Sequence, residues 1–306
     1  MKYGRIIRAV CETPWAITAN RMADIIDVLA YQAAGGKLTP DEVRAYVGDD
    51  VKGQQGVRSA GGGVAILSLR GVIAHRIESV QDISGPGGTS MEGFSRRFRE
   101  VMNDDEVSAV VIDVDSPGGA VSGVEEMGKE IREARGTKPI VAVANTLAAS
   151  AAYHLASQAD ELVVTPSGEV GSIGVFAAHQ NMAQALESMG IEVTLISAGK
   201  YKVEGNPYEA LSDDAREYMQ SRVDDFYEAF VNAVAAGRGV LADAVKSDFG
   251  QGRVVGAQDA VAAGMADSVE TFDQVVARLR SGTAPKRRTR ASRAGADLRR
   301  YELAFK

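Results

Sequence analysis

Asn145-Thr-Leu-Ala-Ala-Ser-Ala-Ala-Tyr-His-Leu-Ala-Ser-Gln-Ala-Asp160 is the stretch on which the fold turns. It follows Pro139-Ile-Val-Ala-Val-Ala144, an apolar run that predicts a buried strand. Ser150 then stands among Ala148, Ala149, Ala151 and Ala152. Small residues let backbones approach closely, and the first turn of a helix leaves its N–H groups without intrahelical partners. A strand-to-helix turn of this kind suits a serine nucleophile with an oxyanion site beside it. The same residues also read as a serine in the first turn of a buried helix, so the rest of the chain must decide.

On either side, strands and helices alternate. Gly63 to Leu69 reads as a strand, Ser90 to Asn103 as a helix and Ala109 to Val114 as a second buried strand. Helix 121–135, strand 139–145, helix 149–158, strand 161–165, helix 181–189 and strand 192–197 follow. Such alternation predicts an α/β fold with a parallel sheet and crossover helices. A long helix from Asp213 to Ala236, capped by Ser212, carries an apolar stripe from Tyr218 and Met219 through Val223, Phe226, Tyr227, Phe230 and Val231 to Val234. Gly256–Met265 and Thr271–Leu279 predict two closing helices.

The N-terminal region reads as helical over 1–47. Met22, Ile25, Ile26 and Leu29 share a helix face, Gly35-Gly36 ends that helix, and Thr39-Pro40-Asp41-Glu42 starts another. Residues 48–62 read as a linker, 63–282 as the main domain, and 283–306 as a basic, disordered tail. Ile83-Ser-Gly-Pro-Gly-Gly-Thr89 lacks the Lys-Ser/Thr of a phosphate-binding loop and reads as a flap or a plain connection.

Composition bounds the function. With 306 residues, 45% hydrophobic and 25% charged, the chain is ordinary for a globular protein. The net charge is -7, but Ala284 to Lys306 holds eight basic and two acidic residues, so an acidic body precedes a basic tail. That tail suits an acidic partner or nucleic acid. A single cysteine, Cys11, forbids an internal disulfide and fits a reducing compartment. No apolar run is long enough to span a bilayer, which predicts a soluble, cytoplasmic protein without a membrane partner.

Two further segments bear on the chemistry. Asp115-Ser-Pro-Gly-Gly119 lies at the C-terminal end of a predicted strand, where open α/β sheets place their sites, and its glycines can leave an N–H free for a substrate oxygen. Ser197-Ala-Gly-Lys-Tyr-Lys-Val-Glu-Gly-Asn-Pro-Tyr208 puts Lys200 and Lys202 just past another strand. A serine needs a base, and a buried lysine can serve as one; the plainer reading is two solvated loop lysines.

Taken together the three segments resemble the signal-peptide-peptidase-A (protease IV) family of serine peptidases, over about Val64 to Leu279. Ala149-Ser150-Ala151-Ala152-Tyr153 matches that family's Ala-Ser-Gly-Gly-Tyr, with Ala-Ala replacing Gly-Gly. Ser116 to Gly119 matches its Ser-Pro-Gly-Gly turn, Gly199-Lys200-Tyr201-Lys202 its Gly-x-x-Lys, and Gly171-Ser-Ile-Gly-Val175 a further segment. The resemblance implies a Clp/crotonase-like fold and a Ser-Lys dyad. Ser150 is then the nucleophile, Lys202 the base, and the Gly119 and Ala151 N–H groups the oxyanion hole, with no metal or cofactor. The opening Thr13-Pro14-Trp15-Ala16-Ile17 looks like the phage branch, the lambda-like capsid maturation proteases. That branch implies capsid, portal or scaffold proteins as substrates, a homo-oligomer, and a place in the host cytoplasm within the assembling prohead.

Other chemistries fit parts of the pattern. A Clp-like Ser-His-Asp peptidase would use His179, 29 residues past Ser150, whereas His154 lies one helical turn beyond the serine and is expected to pack or meet solvent. A crotonase-like acyl-CoA enzyme would share the fold and use paired N–H groups without a nucleophile. An assembly protein with a dead site would keep the fold alone.

Overall fold

The computed structural model describes residues 14–33, 57–76, 88–283 and 285. The chain opens with β1 (Trp15–Ile17) and α1 (Ala19–Ala33). Then come β2 (Val57–Ser59), β3 (Val64–Arg70), β4 (Ile73–Ala74), β5 (Thr89–Ser90) and α2 (Met91–Asn103). The alternation continues through β6 (Ala109–Ser116), β7 (Gly118–Ala120), α3 (Val124–Glu133), β8 (Ile140–Ala149), α4 (Ala151–Ala156), β9 (Glu161–Val164), β10 (Glu169–Gly171) and α5 (Ala183–Ser188). It closes with α6 (Asp213–Arg238), α7 (Ala242–Asp248), β11 (Val254–Gly256), α8 (Ala257–Ala263), β12 (Ser268–Val269) and α9 (Phe272–Arg280).

The main sheet runs β11-β10-β8-β6-β3-β2, with β9 beside the first half of β8 and β12 beyond β9. The pairings β3-β6, β6-β8, β8-β9 and β8-β10 are parallel, as the alternation of strands with helices requires. Both faces are covered, so the strands are continuously apolar. Side chains alternate between the faces. Val110, Ile112 and Val114 join a core with Phe94 and Phe98 of α2, Ile131 of α3, Tyr153 of α4 and Phe230 of α6. Val111, Val141 and Val143 join the opposite core with Val275 and Leu279 of α9. A second, small sheet, β1-β7-β4-β5, sits at the C-terminal ends of these strands, and its own core joins Trp15, Ile17, Val72 and Ala120 to Met22 and Ile25 of α1.

Ser212 caps its helix as expected, and side chains cap two further helices. Ser90 Oγ accepts the Gly93 N–H, Ser212 caps α6 through the Ala215 N–H, and Thr271 and Gln274 form a capping box on α9.

Four expectations change. The region 1–47, expected to be helical, opens its described part with β1, because Trp15–Ile17 finds a pairing edge in β7. Residues 192–197 form no strand and are exposed along their whole length, because no neighbouring strand lies beside them among the described residues. The expected linker 48–62 ends in β2, whose Val57–Ser59 pairs antiparallel with β3. The stripe on α6 is buried only from Phe230 onward, where Phe230, Val231, Val234 and Ala235 join the main core, and Tyr218 is 59% exposed. The helix expected from Thr39, most of the glycine-rich loop and nearly all of the tail lie outside the described residues.

Candidate active site

The parallel strands β6 and β8 end side by side, and their C-terminal ends build the site. Their register shifts between Val114 and Ser116, so that Ser116 pairs with Ala148. The buried Asp113 carboxylate pins this region, accepting from Arg70 at 2.6 Å, Arg58 at 3.2 Å and the Asn145 amide at 3.1 Å. Charge-assisted bonds of this kind fix the end of β8 just ahead of the serine.

Ser150 occupies the turn between β8 and α4 with φ 56° and ψ -119°. A non-glycine residue there is strained, and such strain collects at functional positions. The turn is held by bonds on both sides of the serine: its N–H donates to Gly171 O at 2.7 Å and its carbonyl accepts the His154 N–H at 2.9 Å. The hydroxyl donates a long 3.5 Å bond to Gly174 O. Ala151, the first residue of α4, has no intrahelical acceptor for its N–H. Tyr153 anchors the helix, its hydroxyl donating to Met265 O at 2.9 Å.

The Ser116-Pro-Gly-Gly119 turn stands against this serine. Ser116 Oγ donates to Gly71 O at 2.6 Å and accepts the Gly118 N–H at 3.2 Å, tying the turn to the end of β3. Gly118 has φ 100°, and a Cβ there would come within 2.9 Å of Ser150 Cβ, so glycine is what lets the turn touch the serine. Gly119, the expected oxyanion donor, is the next residue along β7, paired with Ala16 of β1. Ser150, Gly119 and Ala151 are therefore brought together.

Lys202 is not joined to them. It lies in the exposed loop after 192–197, and among the described residues its side chain makes no hydrogen bond or ion pair. Lys200 bonds the Tyr201 hydroxyl at 2.7 Å. His179, the alternative base, has its Nε2 3.0 Å from Asn206 O.

His154 packs, as one of its two expected fates. Its ring stacks on Phe230 with centroids 5.0 Å apart. Burial first, and then the Arg132 charge, lower its pKa to about 4, so the imidazole is neutral at pH 7. A cavity of about 320 Å³ lies alongside, lined by Ala16, His154, Val175, Phe226 and Phe230 among others.

Two contributors escape a reading of the sequence. Gly118, rather than Gly119, makes the contact with Ser150, because the backbone conformation of the turn decides which glycine faces the serine. The strand β1 lies over the site, and a pairing across about a hundred residues leaves no local signal.

Residues 132–285, which include Ser150 and Lys202, match the family model for peptidase family S49. Capsid assembly protease C of Escherichia phage lambda is 36% identical over 260 residues, covering 83% of this chain and 58% of that protein. Head-tail preconnector protein GP5 of Enterobacteria phage P21 is 34% identical over 232 residues, covering 73% and 46%. Protease 4 of Salmonella typhi is 30% identical over 219 residues, covering 71% and 34%. This chain thus spans about half the length of the curated relatives it matches. A solved structure of a membrane-bound stomatin-specific protease aligns with a TM-score of 0.45 at 13% identity, over 69% of this chain and 82% of that one. The family model covers half of the chain, including the turn at Ser150, and the lambda protease is similar along most of it: the chain belongs to peptidase family S49.

Proposed function

We propose that this chain is a serine endopeptidase with a Ser-Lys dyad, acting on capsid, portal or scaffold proteins during phage head assembly. Ser150 Oγ attacks the substrate carbonyl, and neutral Lys202 takes its proton and later delivers one to the leaving amine. The Gly119 and Ala151 N–H groups hold the oxyanion of the tetrahedral intermediate. The observation that carries this reading is Ser150 itself, a strained serine at a strand-to-helix turn with the Ser116–Gly119 turn packed on it. The capsid role draws on the name of the lambda relative.

We further propose that the base reaches Ser150 from a second copy of the chain. Ile191, Val193, Leu195 and Ile196 are all exposed, Ile196 at 97%, immediately before the lysine loop. An apolar segment with strand periodicity and no partner strand among the described residues is suited to pairing with another copy. Such an assembly would bury Lys202, the condition under which a lysine becomes a base.

Trapping with a serine-reactive phosphonate tests the nucleophile. Mass spectrometry should find one adduct, on Ser150, absent from Ser150→Ala. A chain that cleaves protein substrates while remaining unlabelled at Ser150 would overturn the assignment.

A further inference from the structure

Ser150 is 0% exposed, so no incoming carbonyl can reach its hydroxyl while its surroundings stay in place. Part of what surrounds it is β1. This strand is bonded along both edges. On one side it pairs antiparallel with β7, Ala16 opposite Gly119. On the other, Trp15 N–H donates to Phe176 O at 2.8 Å and Phe176 N–H donates to Trp15 O at 3.0 Å. An extended segment held by main-chain bonds, with its side chains in pockets, is one way a protein receives a peptide strand. Here Trp15 and Ile17 are both buried, against Val72 and Ala120 as well as Met22 and Ile25 of α1.

The register carries the argument further. Thr18 N–H donates to Pro117 O at 3.0 Å and Val121 N–H to Pro14 O at 3.3 Å. Hydrogen-bonded pairs alternate along an antiparallel ladder, so the pair lying between these two, Ala16 and Gly119, is also hydrogen-bonded. The Gly119 N–H therefore donates to the Ala16 carbonyl oxygen. That oxygen also borders the nucleophile: a Cβ on Gly118 would collide with it and at the same time lie 2.9 Å from Ser150 Cβ. The donor read as half of the oxyanion hole is holding a carbonyl of the chain's own N-terminal segment.

We propose that β1 occupies the substrate groove of this peptidase as an internal pseudosubstrate, with the Ala16–Ile17 peptide in the place of the scissile bond. The enzyme is latent until residues 14–18 withdraw. A substrate then enters as an extended strand in the same ladder, with a small residue at the scissile carbonyl and a large apolar residue before it. This inference rests on Ser150 being the nucleophile.

The test is the rate at which a fluorophosphonate labels Ser150, followed by intact mass in the full-length protein. Ala16→Pro removes the N–H that the Gly119 carbonyl accepts and keeps Trp15 and Ile17. Labelling is expected to quicken roughly tenfold, the effect of about one ladder hydrogen bond. A synthetic peptide spanning Thr13 to Asn20 should slow it again. A folded Ala16→Pro protein labelled at the wild-type rate overturns the proposal. Should that variant fail to fold, amide exchange on labelled wild-type protein decides the matter. The Ala16 and Thr18 amides must lose protection once the adduct sits on Ser150, and unchanged protection overturns the proposal. No labelling in any form would overturn the role of Ser150 together with this inference, whereas equal labelling of both forms overturns the inference alone.

Discussion

Ser150 is held in a backbone conformation that a side chain makes costly. A φ of 56° with ψ -119° is stabilised by the Gly171 and His154 bonds on either side of it. Ser150→Gly should therefore stabilise the fold by about 1 kcal/mol, read from denaturant midpoints, while lowering turnover by on the order of 10³-fold or more. A lowered midpoint would mean that the turn is not strained. At the base, Lys202→Arg should be as inactive as Lys202→Ala in peptide cleavage, since arginine stays charged. Retained activity in the arginine variant would remove Lys202 from the mechanism.

His154 makes a second residue-scale statement. Its pKa falls from 6.5 in the unfolded chain to about 4 in the fold. The unfolded state then binds more protons between those values. The contribution is fully present above pH 6.5 and is lost as pH falls toward 4, by about 3 kcal/mol at most. His154→Phe keeps a ring on Phe230 and removes the titration. Its stability should change less than that of the wild type between pH 7 and pH 4.5, measured by urea midpoints. Parallel profiles for the two proteins would locate the acid sensitivity elsewhere.

Among the elements, α6 is fastened at its C-terminal end. Arg238 donates to both Asp267 oxygens at 2.7 and 2.9 Å with both side chains buried, and Asp267 also accepts the Leu162 N–H at 2.8 Å. Removing one partner leaves a buried charge, so Asp267→Ala should cost about 3–5 kcal/mol. The Arg238→Met, Asp267→Leu double variant should cost less than Asp267→Ala, and a larger cost would show that the pair itself is strongly stabilising. Helix α6 also shows where the sequence reads well and where it does not. Its Ser212 cap follows from local chemistry and its end lies two residues past the expected Ala236, but its stripe runs from Tyr218 and only the part from Phe230 joins the main core. Periodicity marks a face that can be buried; the neighbouring elements decide how much of it is. The strand expected over 192–197 is the same lesson. Its alternation was legible, but a strand needs a neighbour, and none lies beside it among the described residues. In the proposed assembly, Ile196→Asp should leave melting of the isolated chain nearly unchanged and abolish both association and cleavage. Association unaffected by that charge, measured by light scattering, would exclude this segment as the contact.

At the scale of the molecule, the parallel sheet and its order of crossover helices were readable, because β3, β6, β8 and β9 are continuous apolar runs separated by helical periodicity. The site was readable in part. Ser150, Gly119 and Ala151 meet because they end or follow adjacent strands of that sheet, an outcome that strand order forces. The cover of β1 over Ser150 was not readable, since Ala16 and Gly119 are brought together only by the folded sheet. Nor does the sequence say whether Lys202 serves its own chain or another. That question is answered most directly by mixing two inactive proteins, Ser150→Ala and Lys202→Ala, at a concentration where wild-type protein is assembled. If the site is divided between copies, the mixture regains peptide cleavage that neither protein has alone, because some sites combine an intact Ser150 with an intact Lys202. A mixture that stays inactive, although the two proteins co-assemble, would contradict the account.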